Sequence, residues 1–160
     1  MLGSGGGQLI GVKVNQFFDR PAVKNYLDRR SRHVLRRYGA FVRMTARRSM
    51  RKRKGPSLAG QPPHAHPGHG GFSLRDSRRG GIVYGLDSMR ASTVVGPLAV
   101  AKAKGTTAGE TVPEVLEYGG VVRRQKAELA HYPPRPFMRP AHAKALDKQA
   151  EWWREADAKY

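Results

Sequence analysis

Apolar and polar positions first alternate at residues 8–14, where Ile10, Val12 and Val14 share one face. A period of two predicts a short strand there. The spacing then lengthens. Val23, Leu27, Val34, Tyr38, Phe41 and Thr45 recur at intervals of three, four or seven residues, which draws one stripe down a helix predicted over 21–50. Pro21 suits the first turn, with Asp19 or Arg20 at the cap. Gly39 weakens the middle of this helix and is a candidate kink. The rest of its surface is largely arginine: Arg29, Arg30, Arg32, Arg36, Arg37, Arg43, Arg47 and Arg48. It runs into Arg51, Lys52, Arg53 and Lys54 and stops before Gly55 and Pro56.

From 55 to 71 the composition turns to Gly, Pro and His. A loop of that length is functional or takes its order from a partner. Strand signal returns at 81–86 and 92–96 around a turn at Asp87, Ser88, Met89 and Arg90, which predicts a β-hairpin. Residues 102–109 are polar and expected to be flexible. Thr111 followed by Glu114 is a capping box with Pro113 in the first turn, and Gly119 and Gly120 end the short helix it starts. Val121 and Val122 can begin a strand that carries into the basic segment 123–126. The prolines at 133, 134 and 136 hold the next segment extended. A last helix is expected to begin around 137–140 and run toward Tyr160. Met138, Ala141, Ala145, Gln149, Trp152 and Ala156 lie on one face, and Trp153 widens it. This order predicts an α+β domain over 1–160. It has a small, mostly antiparallel sheet, a long N-terminal helix, a short helix, a C-terminal helix and extended arms at 1–7, 55–71 and 102–109.

Composition changes this picture mainly through charge. The 30 Lys and Arg against 12 Asp and Glu give a net charge of +18, which resists compaction and attracts polyanions. Two explanations stand: a nucleic-acid binder, ribosome- or nucleoid-associated, or a subunit whose basic face meets acidic neighbours or packaged DNA. The residues expected on that face are Arg29, Arg36, Arg43, Arg47, Arg51, Lys52, Arg53 and Lys54. Absent cysteine excludes disulfides and thiolate catalysis. No stretch reaches the ~20 apolar residues of a bilayer span, so no membrane partner is expected. The start carries no basic segment followed by an apolar run and does not read as a secretory signal.

Catalytic chemistry finds little to work with. No nucleophile elbow and no phosphate-cradling glycine loop follows a predicted strand. His64, His66 and His69 are close enough to suggest a transition metal. The intervening Pro and Gly give no rigid ligand set, however, and no acid or cysteine completes it. No metal or cofactor is therefore expected, and no enzyme. Glu114 and Glu117 share a helical face, where a solvated turn is the expected state. Trp152 and Trp153 have two readings of equal weight: a cap on the core, or an anchor in a subunit interface.

Two stretches resemble a known pattern. VLEYGG at 115–120 and YPPRPFMRPAHAKAL at 132–146 are similar to the phage minor tail and head–tail joining proteins often called tail-completion proteins. In that family a short helix ends in an acidic–aromatic–glycine sequence. An Arg-Pro-Phe-hydrophobic-Arg-Pro-Ala segment then leads into the last helix. The matching positions are Glu117, Tyr118 and Gly119, then Arg135, Pro136, Phe137, Met138, Arg139, Pro140 and Ala141. Many members carry Asp-Thr-Gly-x-Leu after the first helix, where this chain has GQPPHAHPGHGGFSL at 60–74. The resemblance implies a homo-oligomeric ring, commonly a hexamer, in the virion neck. It would complete the tail and meet the tail tube protein and the head–tail connector or stopper, with packaged DNA in its lumen. The shared residues are expected to build the subunit, with Phe137 pinned into the core.

Overall fold

A computed structural model describes residues 19–65, 81–98, 111–123 and 129–159. Asp19 starts the first helix, α1 (Arg20–Ser49): its Oδ1 accepts the Ala22 amide at 3.0 Å. Arg47 and Arg48 in the last turn suit its negative end. The helix continues unbroken through Gly39. Its basic sequel, Arg51, Lys52, Arg53 and Lys54, lies beyond the helix end as exposed, non-helical chain.

The expected hairpin forms from β1 (Ile82–Asp87) and β2 (Ser92–Pro97), antiparallel, with Ile82 opposite Pro97 and Asp87 opposite Ser92. Asp87 Oδ1 closes the turn by accepting the amides of Met89 and Arg90. The capping box also forms, starting α2 (Val112–Tyr118). The Glu114 carboxylate accepts the Thr111 amide at 2.7 Å and the Thr111 hydroxyl at 3.0 Å. Those hydrogen bonds, the backbone one first, hold its carboxyl below the usual carboxylate range.

Gly119 ends α2 with φ +78°, and its amide donates to Val115 O. β3 (Gly120–Arg123) follows at once and pairs antiparallel with β4 (Leu129–Tyr132). The α+β class is as expected, but among the described residues the strands divide into two two-stranded sheets. β4 carries no two-residue apolar period that would reveal it in sequence. The last helix, α3 (Met138–Lys159), begins within the expected window. The strand expected at 8–14 and the arms at 1–7 and 102–109 fall outside the described residues.

The core lies between α1 and α3. Val34, Val42, Ala46 and Met50 meet Ile82, Phe137, Ala141, Ala145, Trp152 and Ala156, all buried. Arg30 pairs with Asp157, and Arg37 with Glu155. Farther along α1, Lys148 sits over the Phe41 ring. Rising numbers on one helix thus meet falling numbers on the other, and the two run antiparallel. The stripe read from the sequence is only partly the buried face. Val23 and Leu27 are exposed, while Val42, Ala46 and Met50 join the core. The added burial follows because α1 is covered from two sides, by α3 and by the β1–β2 hairpin.

Gly39 shows how closely the hairpin seats. A Cβ there would stand 2.6 Å from Tyr84 Cδ2 and 2.9 Å from Thr93 Oγ1. The glycine therefore serves a close approach of strand to helix. Overpacking costs about 1–3 kcal/mol and the helix gain from Gly to Ala is about 1 kcal/mol. Gly39→Ala is accordingly expected to lower stability by about 1 kcal/mol in urea unfolding, and a stabilised variant would contradict this seating.

Candidate functional site

Glu117 lies on the last turn of α2 and is 5% exposed. It does not stand in the solvated turn expected for it, and it forms no carboxylate pair with the exposed Glu114. Its carboxylate is aimed at the start of α3. Oε2 accepts the amides of Phe137 at 2.9 Å and Met138 at 3.0 Å, and Oε1 accepts the amide of Arg139 at 2.8 Å. The first amides of a helix have no intrahelical acceptor, and the helix N-terminus favours negative charge. The next residue, Pro140, has no amide hydrogen to satisfy. One side chain from another helix thus caps α3, with proline removing the donor it does not reach.

Arg139 closes the clamp from outside. Its Nε is 3.4 Å from Glu117 Oε1, its Nη2 donates to Glu117 O at 3.2 Å, and its guanidinium lies 5.2 Å from the Tyr118 ring centroid. Arg135 ties in the neighbouring segments. Its amide donates to Leu116 O at 2.6 Å and its Nε to Ser57 O at 3.0 Å. Gly60 donates to Pro134 O at 2.8 Å. Gly119 is forced by space as well as by φ, since a Cβ would stand 2.9 Å from Tyr132 O. Pro136 is half-buried, and Phe137 is 1% exposed within the core, as expected of a residue pinning this approach. The two stretches singled out by resemblance are therefore one physical unit.

The loop after α1 is held within the chain over 55–65. Ala65 donates to Arg51 O at 2.9 Å, His64 Nδ1 is 3.0 Å from Gly55 O, and Ser57 is buried. Of the three histidines singled out as close in sequence, His66 and His69 lie outside the described residues. Among the described residues no group of three or more His, Asp or Glu is arranged to hold a metal ion, and no helix is long and apolar enough to cross a membrane.

The arginines expected to form one basic face fall into different settings. Arg29 and Arg36 are exposed, and Arg29 Nε donates to Asn25 O at 3.3 Å. Arg30 and Arg37, on a neighbouring face, meet the acids of α3 and stack on Trp153 and Trp152 at 5.1 and 5.6 Å. Arg43 is half-buried and donates to Ile82 O at 3.2 Å; Arg47 is half-buried beside it. Arg51, Lys52, Arg53 and Lys54 are exposed. Trp152 is 3% exposed, 5.3 Å from Phe41 and 6.2 Å from Tyr38, so it belongs to the core; Trp153 is half-buried at its margin. The sequence reading missed the α3 acids as partners of Arg30 and Arg37, and it missed Ser57. Only the opposite charges on two predicted helices signalled the former.

Comparisons with protein-family profiles, curated proteins and solved structures return no match.

The clamp predicts a graded response. Glu117→Ala leaves three amides without an acceptor and is expected to cost about 2–4 kcal/mol. Glu117→Gln keeps one acceptor oxygen and should cost about half as much. Equilibrium urea unfolding checks both, and a loss below ~0.5 kcal/mol in Glu117→Ala would remove the clamp from the account.

Proposed function

We propose that this chain is a structural subunit of a tailed phage, forming a ring at the head–tail junction that completes the tail and joins it to the head connector. The observation that carries this proposal is the Glu117 clamp. The acidic–aromatic–glycine stretch and the Arg-Pro-Phe-Met-Arg-Pro stretch resemble that family separately in sequence, and here they meet through three amide hydrogen bonds. Their chemistry is architectural: the carboxylate is consumed in capping a helix and Arg139 in covering it, which fits a subunit without catalytic work.

The surface supports a role in assembly. Tyr118 is 66% exposed, Leu129 62% and Val94 70%, on or beside two-stranded sheets with no further strand paired among the described residues. Two-stranded sheets are marginal alone and their open edges favour pairing. A cyclic ring uses two different faces of each subunit. In this reading the ring is a hexamer in the virion neck, between the tail tube protein and the connector or stopper. Electron microscopy of particles assembled without this chain is expected to show filled heads and separate tails. Joined, infectious particles would overturn the proposal.

A further inference from the structure

Six consecutive residues, 51–56, are exposed between two buried ones, Met50 and Ser57. Four of them are Arg51, Lys52, Arg53 and Lys54, the basic sequel to α1. The segment leaves the helix with extended backbone, since Met50 has φ −79° and ψ 101°. Its ends are tied to the body of the chain. Ala65 donates to Arg51 O at 2.9 Å, His64 Nδ1 is 3.0 Å from Gly55 O, and Arg135 Nε donates to Ser57 O at 3.0 Å. At Gly55, with φ +77°, a Cβ would meet nothing within 4 Å. The stretch is a bridge held at both ends, with its middle exposed. The other Lys and Arg among the described residues are in different settings. Those of α1 and α3 are helical, Arg123 is in β3, and Arg90 is in the turn closed by Asp87. Arg20, Arg135 and Arg139 each precede a proline, whose ring and missing amide hydrogen make the bond before it a poor substrate.

We propose that residues 51–54 are an endoproteolytic site, cut in the folded chain by an endopeptidase whose specificity pocket takes Arg or Lys, and that the two pieces stay joined. The inference does not depend on the ring proposal. Such an enzyme pairs with an extended substrate strand and takes the residue before the cut in a pocket carrying an acid. An exposed, extended basic run meets both requirements, and exposed surface segments are where nicking concentrates. The Lys52–Arg53 and Arg53–Lys54 bonds suit it best, because Arg51 O and Gly55 O are already engaged. Hydrolysis adds water across the bond: the hydroxyl goes to the carbonyl carbon and the hydrogen to the released nitrogen. The cut crosses no helix or strand. It leaves α1 on one piece, and both sheets, α2 and α3 on the other. Val34, Val42, Ala46 and Met50 of the core come from the first piece, and the rest of it, with Phe137 and Trp152, from the second. The Arg30–Asp157 and Arg37–Glu155 pairs also join the two.

The test is limited digestion of the full chain with trypsin under native conditions, with mass spectrometry of the pieces. The rate at which pieces ending at residues 51–54 appear is compared with cutting of a synthetic peptide of residues 46–58. A site open in the folded chain is expected to be cut within about a hundredfold of the peptide rate. Slower cutting would overturn the proposal, because a segment opened only by global unfolding is protected about a thousandfold or more. Size-exclusion chromatography of the early digest is expected to show these pieces eluting with their complements at the volume of the uncut chain. Separate elution would also overturn it. The variant with Arg51→Gln, Lys52→Gln, Arg53→Gln and Lys54→Gln changes only exposed side chains. It is expected to keep its thermal midpoint and to lose the pieces ending at 51–54, and their persistence would remove the basic side chains from the account.

Discussion

A buried carboxylate must recover its lost hydration from the protein, an effective penalty of several kcal/mol. Glu117 recovers it from the otherwise unpaired amides at the start of α3. The bargain is mutual. The helix needs an acceptor at its positive end and the carboxylate needs donors. Because donor and acceptor lie about twenty residues apart, this single contact fixes how α2 meets α3. Phe137 enters the core at the same point, and the alanine face of α3 follows from there along α1. Arg135 extends the same junction to Leu116 and to Ser57, and so draws the loop after α1 into place.

Charge is divided along α1 by what faces it. Where α3 lies alongside, arginine is matched by Glu155 and Asp157 and shielded by tryptophan faces. Beyond the stretch where those acids lie, Arg43, Arg47 and Arg48 line an open groove with Ala40, Met44 and Tyr84. A helix that looks uniformly basic in sequence thus has a stretch whose arginines are paired across to α3, beside the apolar core the two helices share. The exposed apolar residues on the two small sheets add a second outward-facing feature, separate from the groove in its chemistry.

Local signals made the elements legible. The Asp19–Pro21 start, the Asp87 turn, the Thr111–Glu114 box and the Gly119 stop each fixed a boundary through a residue acting on its own neighbourhood. What escaped was long-range. Glu117 looked like a solvated helix position because its donors stand on another helix. Gly39 looked like a weak point because the Tyr84 ring that requires it belongs to the hairpin. Arg30 and Arg37 looked like free surface because their acids lie more than a hundred residues away. The face of α1 was misjudged for a related reason: one stripe is read from one periodicity, and two elements cover this helix. β4 is four residues long with no alternating apolar pattern, and pairing with β3 is what makes it a strand.

The central claim is that Glu117 organises the α2–α3 junction by accepting the first amides of α3. Hydrogen exchange at the amides of Phe137, Met138 and Arg139 tests it most directly. In the native chain these three amides are predicted to exchange far more slowly than open helix-terminal amides, and Glu117→Ala is predicted to release all three while α3 beyond its first turn stays protected. Fast exchange at these amides in the native chain, or protection unchanged in Glu117→Ala, would contradict the account.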